Sequence, residues 1–459
     1  MPVVLWTDAL VFALFAAIGA YFVHVRRQPH LRAPWRRVTQ SAPGMSALVV
    51  VAAFVAVGLL DSLHYRPALE RKPGQEAAYS TEVLSVFDAV AGPLRAHRER
   101  TYSAPFATRT FARETLEVPG PDGTLRQVRE FPRLAFGGAH LKDEAERGRD
   151  VLLGVLEGLG FALLLWCVFA AAVWRGVARR ATPVPWRAIL ITAGVLLALA
   201  GPAVSLCADY HIFGTDKVGR DVFYLALKSI RTGLVIGTLT TLVVLPFAVA
   251  LGIMAGYFRG LIDDLIQLVY TTINSIPAVL LIAAAVLIAQ VALDRHPDLA
   301  PTAVQRADLR LLVLCAILGL TGWIGLARLL RGEALKLREL EYIQAAHAFG
   351  VRNARVIARH ILPNVMHIVL ISLVMDFSGL VLAEAVLSYI GVGVDPSMIS
   401  FGTMINQARL EMSREPVVWW SLAAAFVFMF VLVLEANLFA DAVRDAFDPR
   451  VRVGAAATA

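Results

Sequence analysis

The sequence predicts an all-α polytopic membrane protein of about nine spanning helices with a small external α+β insertion. Three observations carry that prediction. Of 459 residues, 58% are hydrophobic and 17% charged, with a mean hydropathy of +0.64, where a soluble chain carries roughly a quarter charged. The stretches 188–208, 232–258, 265–293, 311–327 and 416–434 contain no Asp, Glu, Lys or Arg, and a span needs about 20 apolar residues. Residues 64–150, by contrast, hold 27 of the chain's 79 charges, 14 basic and 13 acidic. This distribution excludes a cytosolic enzyme, a disordered regulator and a nucleic-acid binder. The net charge of +7 reads instead as basic residues retained on the cytoplasmic side of a membrane.

Spans are expected at 3–25, 45–63, 151–174, 186–208, 233–258, 265–290, 311–330, 364–390 and 417–438. The first is expected to be a span and not a signal peptide, because Met1 to Asp8 carry no positive charge and no small-residue cleavage site follows. Arg26, Arg27, Arg32, Arg36 and Arg37 come after it, which places the N-terminus outside. Threading nine spans from there puts the 175–187 linker (Arg175, Arg179, Arg180, Arg187), the 331–363 loop and the C-terminal tail in the cytoplasm. The 64–150 insertion is then external. Cytoplasmic segments carry 20 Lys/Arg against 8 Asp/Glu, as the positive-inside rule requires.

Within the insertion, Ser80 or Thr81 is expected to cap a helix carrying Val83, Leu84, Phe87, Val90 and Leu94. Thr115–Val118 and Thr124–Val128 flank Pro119–Gly123 as strand, turn and strand. His64, His97 and His140 are scattered and form no catalytic pattern. Cys167, Cys207 and Cys315 lack metal-like spacing and read as packing residues.

The stretch 341–364, Glu-Tyr-Ile-Gln-Ala-Ala-His-Ala-Phe-Gly-Val-Arg-Asn-Ala-Arg-Val-Ile-Ala-Arg-His-Ile-Leu-Pro-Asn, begins as an amphipathic helix. Ile343, Ala346, Phe349 and Gly350 are expected on one face. Gly350 suits the position just past a helix end, and Pro363 the start of the next span. Two short helices at a glycine-permitted angle make a cytoplasmic knob. This string resembles the coupling loop of ABC-importer permeases, Glu-Ala-Ala, three residues, Gly, about ten residues, Leu-Pro. Ala345, Ala346, Gly350, Leu362 and Pro363 match, and Gln344 replaces the Glu. The resemblance implies that Glu341, Tyr342, Gln344, Ala345, Ala346, Phe349, Gly350, Arg352, Leu362 and Pro363 engage an ATPase subunit.

A second segment, His211 to Val222, contains Gly214, Thr215, Asp216, Gly219, Arg220 and Asp221. It resembles the external Gly-Thr-Asp…Gly-Arg-Asp segment of oligopeptide, dipeptide and nickel importer permeases. The same glycines imitate a phosphate loop, but Arg220 stands where Lys is required, Asp221 where Ser or Thr is, and no strand precedes them. Leu382–Gly393 and Asn437–Arg450 resemble the same branch, the second of its two permeases. The resemblance covers about residues 186–450, a six-span core. Ahead of it stand two spans (1–63), the insertion, and a third span with a basic linker (151–185); a tail (451–459) follows.

By that resemblance the chain is a transport subunit of the bacterial inner membrane, not an enzyme. It implies two ABC ATPase subunits that bind ATP and Mg, a second homologous permease, an external solute-binding protein, no cofactor of the chain's own and no nucleic acid. Ionisable residues inside spans are costly unless they face water or a bundle interior. Asp376 and Glu384 are therefore the candidates for the translocation path or gate, with a common interior face expected. Glu157 is expected to anchor two helices. Pro246 and Pro277 are expected to kink their spans, and Gly252, Gly256, Gly319, Gly322 and Gly325 to allow close helix contact. A proton-coupled secondary transporter is the competing class, but no inverted internal repeat is visible. A membrane-embedded enzyme would need convergent catalytic groups that the insertion lacks.

Overall fold

The computed structural model describes residues 1–69, 79–119, 125–178 and 183–447. In chain order, β1 (Pro2–Val3) precedes α1 (Trp6–Arg27), α2 (Pro29–Val38) and α3 (Ala42–Asp61). The insertion contributes β2 (His64–Tyr65), β3 (Leu84–Ser85), α4 (Val86–Val90), α5 (Gly92–Ala96), β4 (Glu114–Pro119) and β5 (Leu125–Glu130). Then come α6 (Arg147–Ala178), α7 (Trp186–Leu206), α8 (Val222–Phe258), α9 (Gly260–Asn274), α10 (Ala278–Arg295), α11 (Ala303–Gly322) and α12 (Ile324–Arg338). The last are α13 (Glu341–Ala348), α14 (Asn353–Val356), α15 (Leu362–Tyr389), α16 (Phe401–Glu411) and α17 (Trp420–Phe447). Nine helical segments among the described residues are long and apolar enough to cross a membrane. The chain is a helical, multi-pass membrane protein with small sheets.

Two expected spans each comprise two helices, 311–330 with its division at Trp323 between α11 and α12. Residues 265–290 divide into α9 and α10 at Ser275–Pro277, because Pro277 has no N–H to donate and disfavours helical backbone in the residue before it. Pro246 leaves α8 unbroken. α8 also begins eleven residues before the expected 233, and its 37 residues make a rod of about 55 Å against a hydrocarbon core of about 30 Å.

Packing divides the chain into two units. The first comprises Met1–Val3, Met45–Thr232 and Ile399–Leu432. Its core gathers Phe87, Tyr102, Val222, Leu225, Met404 and Trp420. β1, β2 and β3 form one antiparallel sheet. β4 and β5 form the expected hairpin, from Glu114 opposite Glu130 to Pro119 opposite Leu125; the turn at 120–124 lies outside the described residues, as do Arg179, Arg180 and residues 448–459. The insertion's helix starts later than expected. Ser85, not Ser80 or Thr81, is the cap: its hydroxyl accepts from Asp88 N–H and the Asp88 carboxylate accepts from Ser85 N–H. That capping box outcompetes the earlier start because Leu84 and Ser85 are already paired with β2. α6 lies against α7, where Trp166 Nε1 donates to Leu190 O at 2.8 Å. Glu157 is exposed on α6 and does not anchor that pair.

The second unit comprises Val4–Gly44, Gly233–Met398 and Val433–Ala459. Its core gathers Ala248, Tyr257, Trp323, Leu330, Ile343 and Val365. A Cβ at Gly252 would lie 2.7 Å from Ala327 O and one at Gly256 2.5 Å from Arg331 O, so α8 and α12 touch backbone to backbone. Gly319 makes the same kind of approach to Val243. Gly322 has only ordinary contact and Gly325 open space, contrary to expectation. α1 joins this unit through Thr7, whose N–H donates to Asp308 at 3.2 Å and whose hydroxyl donates to the same carboxylate.

Candidate functional site

The 341–363 motif folds as a knob on the second unit. α13 ends in a Schellman motif: Val351 N–H donates to Ala346 O at 3.0 Å and Gly350 N–H to His347 O at 2.9 Å. Gly350 sits at φ +71°, a left-handed position that costs a side chain energy and glycine little. Ile343 and Val356 are fully buried in the core of the unit. Phe349 does not share Ile343's face. It is 87% exposed, since six residues at about 100° each leave it some 120° away. Tyr342 is exposed too, as are Glu341, Gln344, Ala345, Gly350 and Arg352.

The second half of the knob is not a separate short helix. α14 continues through a π-helical turn, Ile357–Ile361, into α15. The wider turn accommodates Pro363, which has no N–H for a helical bond. Leu362 is half-buried and Pro363 exposed.

Of three residues that sequence reasoning missed, Tyr257 ties the knob to α8, and Arg338 and Arg331 tie α12 to the neighbouring helices. Tyr257, near the end of α8, has its hydroxyl 2.9 Å from His347 Nε2 and donates to Asn353 Oδ1 at 3.0 Å. Arg338 Nη1 donates to the carbonyl of the same Tyr257 at 2.7 Å. Arg331 makes a two-pronged bond to Asp263 of α9, both distances 2.6 Å, and holds that carboxyl below its ordinary pKa. Displacing α13 therefore pulls on α8 through Tyr257, and through Arg338 on α12. No local pattern marks Tyr257, which is 90 residues from His347.

The segment from Gly214 to Asp221 is built the opposite way. Thr215 is fully buried, and Asp216 and Asp221 nearly so. Asp216 Oδ1 accepts the N–H groups of Val218 and Arg220, both at 2.9 Å, and Arg220 Nε donates to its other oxygen at 2.8 Å. Asp221 caps α8 by accepting from Tyr224 N–H at 3.1 Å. The insertion closes over this turn. Ser103 N–H donates to Thr215 Oγ1 at 2.7 Å, Thr215 Oγ1 donates to Thr101 O at 2.8 Å, and Glu99 N–H donates to Gly219 O at 2.9 Å. Trp420 Nε1 donates to Thr215 O at 3.0 Å.

Under that cover lies a charged triad. His211 Nδ1 is 2.8 Å from Asp221 Oδ2 and its Nε2 is 3.5 Å from Glu99 Oε1. Burial alone would lower the imidazole pKa; the two carboxylates outweigh it and hold it at about 9. Burial likewise opposes charge on Glu99, but His211 and the N–H groups of Ala135, Phe136 and Gly137 bring it down to about 2. A second cluster joins the insertion to α8, where Lys228 pairs with Asp88 and lies 3.3 Å from Asp61. Spacings of more than 100 residues hide Glu99 from His211 and Asp88 and Asp61 from Lys228 in the sequence.

The two intramembrane candidates are not brought to a common face. Glu384 is 1% exposed and accepts from Ser388 Oγ at 2.6 Å, whereas Asp376 is exposed on α15. Eight residues rotate them about 80° apart, enough to separate a packed side from an open one.

Residues 248–453 match the family model of the binding-protein-dependent transport system inner membrane component. A dipeptide transport system permease protein of Alkalihalophilus pseudofirmus is 32% identical over 279 residues, covering 58% of this chain and 84% of that one. The chain belongs to this permease family. An oligopeptide transport system permease protein of Mycobacterium tuberculosis is 31% identical over 242 residues, covering 53% of this permease and 77% of that protein. A dipeptide transport system permease protein of Bacillus subtilis is 28% identical, covering 53% and 69%. The matched family stretch contains the whole knob and begins inside α8, so the insertion and the segment from Gly214 to Asp221 precede it.

Proposed function

We propose that this permease is one of two membrane subunits of an ATP-driven importer of short peptides or related solutes. The observation that carries the reading is the knob: Phe349, Tyr342 and the small Ala345 are presented outward from a base welded to α8 and α12. A cleft on each of two ATPase subunits receives such a knob, and ATP with Mg is bound and hydrolysed there. Closure of the ATPases shifts α13, and through Tyr257 and Arg338 it biases the spans between two packings. A second, homologous permease completes the path, and an external solute-binding protein delivers cargo.

In this reading residues 186–450 form the transport core, and Asp376 stands as a residue of the translocation path. Glu384 serves as its buried neighbour, holding the end of α15 through Ser388. The insertion braces the core's external segment. The N-terminus and insertion lie outside, the knob and C-terminus in the cytoplasm of a bacterium.

Gly350→Val tests the coupling. Uptake is expected to fall at least tenfold while the chain remains in the membrane. Normal uptake and ATPase association in this variant would sink the reading, as would uptake that persists without any ATPase. Orientation is tested by single cysteines at Arg113 and Arg352, both exposed positions; Thr110 is buried and unsuited to a label. Position 113 should react with an impermeant thiol reagent in intact cells and position 352 should not.

A further inference from the structure

The stretch from Arg26 to Gly44 holds Arg26, Arg27, Arg32, Arg36 and Arg37 and no Asp or Glu. Its helix α2 is tied to α1 by Gln28 alone and to α3 by Thr39 to Ser41. At 1.5 Å per residue α1 and α3 are each about 30 Å long, one hydrocarbon thickness. Such short tethers between two span ends hold α2 at the membrane surface.

One side of α2 is occupied. Val38 is buried beside Val443 and Ala446 of α17, and the Trp35 ring lies 5.1 Å from that of Phe22 and 5.4 Å from that of Phe447. The other side carries Arg32, Arg36 and Arg37, all exposed, next to exposed Arg26 and Arg27 at the end of α1. Asp441 and Asp445 of α17 are exposed as well, yet among the described residues none of the five arginines has a carboxylate partner. Clustered guanidinium groups fixed at a membrane surface match phosphate oxygens in charge and in forked geometry.

We propose that α2 and the end of α1 form a binding site for the phosphate headgroups of anionic phospholipids. The helix has used its apolar side on α17, so it holds headgroups without burying a side in the acyl chains. This differs from an inserted amphipathic helix. The site rests on the membrane-spanning class alone and is independent of the coupling role of the knob.

The purified full-length chain, with whatever subunits copurify, is delipidated and offered phosphatidylglycerol and phosphatidylcholine together. Bound lipids are then counted by native mass spectrometry. The wild type is expected to retain phosphatidylglycerol in preference. R32Q/R36Q/R37Q should lose at least about tenfold in that preference, because each basic residue near an anionic surface contributes roughly fivefold. R32K/R36K/R37K should keep most of it. Equal retention of both lipids by the wild type, or an unchanged preference in the glutamine variant, overturns the proposal. So does loss of copurifying ATPase with lipid preference intact, which would assign the arginines to a protein partner. If the triple variant fails to insert, R32Q and R36Q singly must each weaken the preference, and no change in either overturns it.

Discussion

The knob and the segment from Gly214 to Asp221 are constructed from similar parts and used in opposite ways. Each is a turn with a left-handed glycine, Gly350 at φ +71° and Gly219 at φ +75°, and each leads into a long helix. In the knob most motif side chains face outward, while Ile343, Val356 and Ile361 reach the core and Ala346 and Leu362 pack against it. In the segment from Gly214 to Asp221 the side chains of Thr215, Asp216 and Asp221 face inward, and the insertion together with Trp420 supplies the partners of Thr215. A motif whose residues are exposed is a surface for something else. One whose residues are satisfied within the chain is an internal joint.

The same substitution at the two glycines should separate those roles most sharply. A Cβ on Gly219 would fall 1.8 Å from Glu99 O, whereas one on Gly350 meets nothing within 4 Å. Gly219→Ala must therefore displace backbone as well as adopt a left-handed conformation, a cost of several kcal/mol. The expected result is a large drop in melting temperature and loss of assembled protein. Gly350→Ala should cost only about 1 kcal/mol of conformational strain and leave melting nearly unchanged while uptake falls. Similar melting losses in both variants would erase the distinction between joint and surface.

Phe349→Ala sharpens the comparison from the exposed side. A side chain that is 87% exposed contributes little to the fold, so stability should move by less than about 0.5 kcal/mol. As an aromatic anchor for the ATPase cleft it should carry about 2 kcal/mol, roughly thirtyfold in association. Pull-down of ATPase subunits by wild type and variant at equal expression measures this. Equal recovery would remove Phe349 from the contact.

Much of this architecture was legible from single residues. Charge-free runs located the spans, because a charge in hydrocarbon is costly whatever its neighbours. Gly350 announced its turn, because few other residues take a left-handed helix end. The hairpin followed from alternation around a Pro-Gly pair. What was illegible depends on partners distant in sequence. Apolar composition is the same for one helix or two, so the break before Pro277 read as a kink. Glu99 looked like any surface carboxylate of the insertion until His211, 112 positions later, came to lie beside it. Phe349 reads as inward from the sequence because an apolar residue at a near-helical interval resembles core, and only the neighbouring elements reveal that it is left exposed.

The triad predicts a pH window for the joint that the knob has no reason to share. His211 is raised from 6.5 to about 9. Its stabilisation is complete below about pH 6.5 and disappears as pH climbs through 9. Glu99 is depressed from 4.5 to about 2. Its contribution is complete above about pH 4.5 and disappears as pH falls toward 2. Melting of the purified chain should thus decline on both sides of a broad plateau. His211→Gln should lower the plateau and flatten the alkaline decline, and an identical alkaline decline in that variant would show that the triad does not set it.

The smallest effect concerns the one residue at which the knob departs from the family pattern. Gln344 is exposed, and its amide nitrogen donates to the carbonyl of Glu339 at 3.2 Å. Glu339 is the C-cap of α12, where unsatisfied carbonyls and the negative end of the helix dipole favour a donor. A carboxylate cannot donate at neutral pH, and it would add charge beside Glu339 and Glu341. Gln344→Glu should therefore bring the sequence closer to the family pattern while weakening the knob by about 0.5–1 kcal/mol, with about a twofold fall in uptake. If uptake instead rises, the position faces a cation on the ATPase, and the glutamine's place is set by the partner rather than by the end of α12.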